Sequence, residues 1–126
     1  MPESRRVLVV EDNEQNLELV EFLLEEAGMD VRRAMDAEAA LAEFSREVPD
    51  LVLLDMDVAG TDGLSLVAEF RTRAAGKPIL ALTAHAMRGD RERFLQGGCD
   101  GYIAKPINVA TFVVEVEKYL SRKAVS

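Results

Sequence analysis

Short apolar runs alternate with stretches of helical period along this chain. Val7-Leu8-Val9-Val10, Leu51-Val52-Leu53-Leu54 and Ile79-Leu80-Ala81-Leu82 are continuous apolar tetrads. Runs of that length, bounded by breakers such as Pro49-Asp50 and Gly76-Lys77-Pro78, read as strands buried on both faces. They predict strands over residues 6–11, 51–55 and 79–82, with weaker ones over 29–33 and 102–104. Between them, residues 13–27 place Leu17, Val20, Leu23, Leu24 and Ala27 on one helical face, and Gly28 follows as a stop signal. Asp36 can cap a helix to about residue 47, with Ala39, Ala40, Leu41 and Phe44 turned inward. Further helices are predicted over 64–75, over 88–96 before Gly97-Gly98, and from an Asn108 cap to about 122; residues 58–63 read as a loop.

The pattern is (βα)₅, an α/β fold. Such alternation implies a doubly wound, five-stranded parallel sheet with helices on both faces and right-handed crossovers. A length of 126 residues allows one domain, with a core covering roughly two-thirds of the unfolded surface. No apolar stretch approaches the roughly 20 residues of a membrane span, and no secretory leader precedes the first strand. The single cysteine, Cys99, rules out an internal disulfide and fits a reducing, cytoplasmic setting; after two glycines it reads as a small buried residue. The net charge of −8 disfavours nucleic-acid binding, which needs a basic footprint.

Chemistry concentrates at strand ends. Asp55 ends the third strand, Glu11 and Asp12 end the first, Thr83 ends the fourth and Lys105 follows the fifth. Strands one and three are expected to be neighbours at the topological switch point, which brings Glu11, Asp12 and Asp55 together. Two like charges 4 Å apart repel by about 4 kcal/mol at an effective dielectric near 20. Either a proton or a cation must relieve such a cluster. An all-oxygen donor set favours Mg²⁺ over zinc. A Thr83 hydroxyl and a Lys105 ammonium at the same edge suit a phosphoryl group. Each residue has a plainer role when taken alone: acids near a helix start favour its dipole, and a threonine there caps it.

These residues carry a family resemblance over nearly the whole chain. Val9-Val10-Glu11-Asp12-Asn13, Leu53-Leu54-Asp55-Met56-Asp57, Asp62-Gly63, Leu82-Thr83-Ala84 and Gly101-Tyr102-Ile103-Ala104-Lys105-Pro106 resemble the response-regulator receiver (CheY-like) domains of two-component signalling. The stretch from Thr83 to Ile107 looks most like single-domain DivK-type regulators. The resemblance implies a flavodoxin-like sheet of order 2-1-3-4-5, the order shared by flavodoxin and CheY.

What the resemblance implies for the site is specific. Asp55 would be the nucleophile that takes a phosphoryl group from a phosphohistidine, with Lys105 and Thr83 as its catalytic partners. Asp12, Asp55 and the backbone carbonyl of Asp57 would hold Mg²⁺ directly, with Glu11 acting through water. Thr83, the Ala84 amide and Lys105 would bind the phosphoryl oxygens, and the Lys105-Pro106 peptide would be cis. Thr83 and Tyr102 would form the switch. Leu19, Phe22, Pro106 and Ile107 would dock a histidine kinase or histidine phosphotransfer protein, and a downstream protein would read the switch. Asp57 and His85 occupy positions that tune phosphoryl lifetime in the family; His85 is alternatively a partly exposed loop residue. The loop over 58–63 lacks the proline many receivers carry there. The expected state is a monomer or weak homodimer, a stand-alone receiver without an output domain.

Two other functions compete. Asp55-Met56-Asp57 superficially resembles the D-x-D motif of haloacid-dehalogenase-type phosphohydrolases, but that motif belongs on a first strand and Ala59 stands where a Thr or Val is needed. A phosphate-independent interaction module would have no use for Glu11, Asp12, Asp55, Thr83 and Lys105 together. A flavin site would need a phosphate-cradling loop where Glu11-Asp12-Asn13-Glu14 would repel the phosphate.

Overall fold

Five strands carry the core: β1 Arg6–Val10, β2 Asp30–Ala34, β3 Leu51–Asp55, β4 Ile79–Thr83 and β5 Gly101–Ala104. They alternate with α1 Glu14–Glu26, α2 Ala37–Arg46, α3 Gly63–Arg73, α4 Asp90–Gln96 and α5 Val109–Val125. This computed structural model describes residues 5–56, 63–73, 76–84 and 90–125. The sheet is parallel, in the order β2-β1-β3-β4-β5. Fold class and strand order are those the sequence predicts.

Side-chain alternation sorts the core into two layers, because successive residues of a strand face opposite sides. Val7, Val9, Leu51, Leu53, Leu80, Leu82 and Ile103 pack with Leu17, Val20 and Leu24 of α1 and Phe112 and Val116 of α5. Leu8, Val10, Val52, Leu54, Ile79 and Ala81 pack with Ala40 and Phe44 of α2, Leu66, Val67 and Phe70 of α3, and Phe94 of α4. Both faces of β3 and β4 are therefore buried along their whole length. That explains the unbroken apolar tetrads.

Helix starts follow the caps. Asn13 accepts from Asn16 N at 2.9 Å, Asp36 from Ala39 N at 2.8 Å and Asn108 from Ala110 N at 3.0 Å. Gly28 leaves α1 at φ 87°, the left-handed conformation that glycine adopts without strain. Several ends shift by one to three residues from the sequence expectation. β2 begins at Asp30 rather than Met29 and reaches Ala34, since Ala34 packs inward from this polar edge strand. β4 extends to Thr83, β5 starts at Gly101, and α5 runs on to Val125. The expected start of the fourth helix, at residue 88, lies outside the described residues.

Arg71 is a structural feature that helical patterning does not disclose. Its guanidinium reaches from α3 to Lys77 O at 2.6 Å, to Gly98 O at 2.5 Å and to Asp100 Oδ2 at 2.7 Å. The same Asp100 oxygen accepts from Ile79 N at 2.7 Å, so one fork ties α3 to the entries of β4 and β5. Truncation would leave these acceptors without their charged donor. Arg71→Ala is expected to lower the unfolding free energy by about 1.5–3 kcal/mol, the range for hydrogen bonds to charged groups. Arg71→Lys should recover only part, because a point charge cannot reproduce the planar fork. Urea unfolding checks this, and an unchanged midpoint for Arg71→Ala would show the clamp to be dispensable.

Candidate functional site

The C-terminal ends of β1, β3 and β4 open onto one edge of the sheet, and the loop after β5 joins them. Register puts Val10 beside Leu54 and Asp55 beside Leu82, so residues just past these points share a rim. Glu11 sits one residue beyond β1 and its N–H still bonds Ala34 O at 2.9 Å. It is fully buried, and Asp55 is 2% exposed. Asp12 is exposed to solvent. One carboxylate oxygen from each of Glu11, Asp12 and Asp55 lies within 4.8 Å of the others.

Lys105 answers this charge. Its Nζ lies 2.9 Å from Asp55 Oδ2, a hydrogen bond, and 3.2 Å from Glu11 Oε1. Burial works against the ammonium's charge. The hydrogen bond and charge of Asp55, and then those of Glu11, outweigh it and hold the lysine's proton more tightly than usual. Lys105 N also donates to Thr83 O at 2.8 Å, which fixes the start of the loop. The Lys105-Pro106 peptide is cis.

Glu11 is the strained member. Oε2 accepts from Asn13 N at 3.1 Å. Oε1 faces Lys105 without hydrogen-bond alignment and is otherwise unsatisfied among the described residues. Burial, followed by hydrogen bonding to Asp55, pushes the Glu11 carboxyl up to about 7, against the pull of Asn13 N–H and Lys105. The cluster therefore suits a hard divalent cation. Oxygens sharing one Mg²⁺ at bonds of about 2.1 Å stand no more than about 4.2 Å apart, so these three need move little. The orphaned Oε1 is a buried acceptor that such an ion, or its water, would satisfy.

The raised Glu11 value has a stability consequence. The folded protein keeps a proton that the unfolded chain releases near 4.5. Folded-state proton binding exceeds that of the unfolded state between 4.5 and about 7, so stability falls as pH rises through that window. In metal-free buffer, Glu11→Gln is expected to flatten this part of the stability–pH curve. Chemical denaturation at pH 4.5, 6 and 7.5 checks it; a variant curve parallel to wild type would contradict the assignment.

The other sequence-selected residues divide by position. Thr83 is 1% exposed at the end of β4 and Ala84 beside it is exposed. Register sets Ala81 against Tyr102 and Thr83 against Ala104, so Thr83 and Tyr102 share a face, across the small Ala81. Tyr102 is half-buried and packs on the α2–α3–α4 layer. Leu19 and Phe22 are 37% and 59% exposed on α1. Pro106 is exposed, while Ile107 packs against the α1–α5 layer. Asp57 and His85 lie outside the described residues. Burial pushes the Cys99 thiol up to about 11, which leaves it unreactive at neutral pH.

Fold and site together define a signalling receiver. Residues 7–117 match the response regulator receiver domain, and the chain belongs to that family. It is 38% identical over 122 residues to the polar-differentiation response regulator DivK of Brucella anthropi, an alignment covering 95% of this chain and 98% of that one. Its counterpart in Brucella ovis is 37% identical over 119 residues. Among solved structures, a CheY-like receiver domain protein from Methanospirillum hungatei superposes with a TM-score of 0.90 at 25% identity, covering 97% of this chain and 98% of that one. The receiver domain of NtrX from Brucella abortus gives 0.85 at 29% identity, covering 91% and 98%. Among the described residues no helix is long and apolar enough to cross a membrane.

Proposed function

We propose that the chain accepts a phosphoryl group from a phosphohistidine onto Asp55 and converts it into a change of partner binding. The observation that carries this reading is the buried Asp55 carboxylate, held 2.9 Å from Lys105 Nζ beside Glu11 and Asp12 in a member of the receiver family. Asp12 and Asp55, with the Asp57 carbonyl and with Glu11 acting through water, would hold Mg²⁺. Bound there, the ion supplies positive charge to the transferring phosphoryl group.

The chain's own residues do the rest. Asp55 Oδ attacks phosphorus while the N–P bond to the donor histidine breaks, and the imidazole leaves with the bond's electron pair. Burial and the Lys105 hydrogen bond fix the orientation of the attacking carboxylate. Lys105 Nζ, the Thr83 hydroxyl and the Ala84 amide then neutralise and hold the phosphoryl oxygens. Thr83 turning toward them frees space on the face it shares with Tyr102, and the ring follows. A switch from 1:99 to 99:1 needs about 5.5 kcal/mol of differential stabilisation, within reach of a few charge-assisted hydrogen bonds.

The donor would be a histidine kinase or histidine phosphotransfer protein docked on Leu19, Phe22, Pro106 and Ile107. The exposure of the first three supports that role. A downstream protein would read α4, β5 and α5. The setting is cytoplasmic and the protein acts as a monomer or weak homodimer. Incubation with acetyl phosphate, with and without Mg²⁺, followed by intact-mass measurement tests the reading. A Mg²⁺-dependent gain of one phosphoryl group supports it, and no gain with a donor that labels another receiver in parallel rejects it.

A further inference from the structure

β5 is a short link between two anchors. At one end Lys105 binds Asp55 and Thr83. At the other, the phenol of Tyr119 reaches back from α5 into the place where a side chain on residue 101 would stand. A Cβ on Gly101 would overlap the Tyr119 hydroxyl oxygen, lie 2.7 Å from its Cζ, and meet Leu80 Cδ2 at 3.3 Å on the β4 side. The glycine therefore admits the ring, and the slot leaves it little room to settle elsewhere. Tyr102, the next residue, faces the opposite layer. The two tyrosines, with Leu95, Asp100 and Gly101, line one hollow of about 140 Å³. That is smaller than the roughly 300 Å³ at which ligand pockets begin, yet it gives both rings space beside the strand.

We infer that Tyr119 is a positioning residue that keys α5 to β5 and shifts when Asp55 is phosphorylated, so that α5 reports the state of the site. The inference rests on the reading of Asp55 as the phosphoacceptor. A charge change at Asp55 acts first on Lys105. From Lys105 to Gly101 the strand spans only about 13 Å at roughly 3.3 Å per residue. Movement at its end reaches a seat where contacts are already close.

The composition supplies the probe. The chain has two tyrosines and no tryptophan, so Tyr102→Phe leaves Tyr119 as its one tyrosine fluorophore. This variant is treated with acetyl phosphate and Mg²⁺, its mass is measured, and acrylamide quenching of its emission is compared before and after. A neutral quencher reads exposure of the ring rather than nearby charge. The expected result is a phosphoryl gain accompanied by a changed quenching constant, both lost in Asp55→Asn/Tyr102→Phe. Gly101→Ala/Tyr102→Phe should show raised quenching before phosphorylation and no further change after it. If that variant does not fold, adding Tyr119→Leu, which removes the overlapping ring, should restore folding. A phosphoryl gain with unchanged quenching overturns the inference and leaves the Asp55 reading standing. No phosphoryl gain overturns both.

Discussion

Asp55→Asn should reduce the Mg²⁺-dependent phosphoryl gain to background while leaving the fold intact. The substitution is close to isosteric at a side chain only 2% exposed, so packing around β3 changes little. Chemistry changes completely: a neutral amide is a poor nucleophile and a weaker cation ligand than a carboxylate. The neighbouring acids are poor substitutes. Glu11 is fully buried, anchored to Asn13 N, and carries a proton for about half the time near neutral pH. Asp12 is exposed and has no hydrogen bond from Lys105 to orient it. Intact mass after exposure to acetyl phosphate, with circular dichroism to confirm the fold, gives the result directly. Full labelling of a folded Asp55→Asn protein would move the acceptor to another carboxylate and end the assignment.

The parts of the molecule that could be read in sequence are those in which one residue's type reports its own environment. β1, β3 and β4 are continuous apolar runs because both their faces are covered. Asp55 stands out because an acid at the end of such a run must have a purpose. β2 was harder to bound: at the sheet edge it carries Arg32 and Arg33, which pair with Glu47 and Glu14, and its pattern is mixed. The convergence of Glu11, Asp12 and Asp55 followed from topology alone, since β1 and β3 are neighbours in any sheet of this order. Pairwise closeness is another matter. Arg71 meets Asp100 across 29 residues, and from sequence it is only a basic residue in the last turn of a helix. Gly101 looks like a turn glycine until Tyr119 is found in its side-chain space. The mismatch between the two halves of the Glu11 carboxylate is likewise a property of distances rather than of residue types.

The seam between α2 and α3 should hold the largest stability contribution from a single side chain. Phe70 is fully buried and stacks on Phe44, with ring centroids 4.7 Å apart and planes 19° from parallel. Around them pack Val67, Leu66, Ala40 and the inward residues of β1, β3 and β4. Phe70→Ala removes a whole ring from a closed layer, and such deletions cost about 3–5 kcal/mol because the surroundings collapse only in part. Against a typical total of about 5–15 kcal/mol, that loss leaves the protein marginal. The thermal midpoint should fall by roughly 10–20 °C for a domain of this size. Phe70→Leu keeps most of the volume and should lose far less. Its coupling to Phe44→Leu in a double-mutant cycle should come to about 0.5–1.5 kcal/mol, the share due to stacking itself. The seam lies on the layer opposite the face toward which Glu11, Asp55 and Lys105 alternate, so phosphoryl acceptance by Phe70→Ala at low temperature should stay near wild type. A loss under about 1 kcal/mol would mean that α2 and α3 close around the missing ring, placing the main stability of this layer elsewhere.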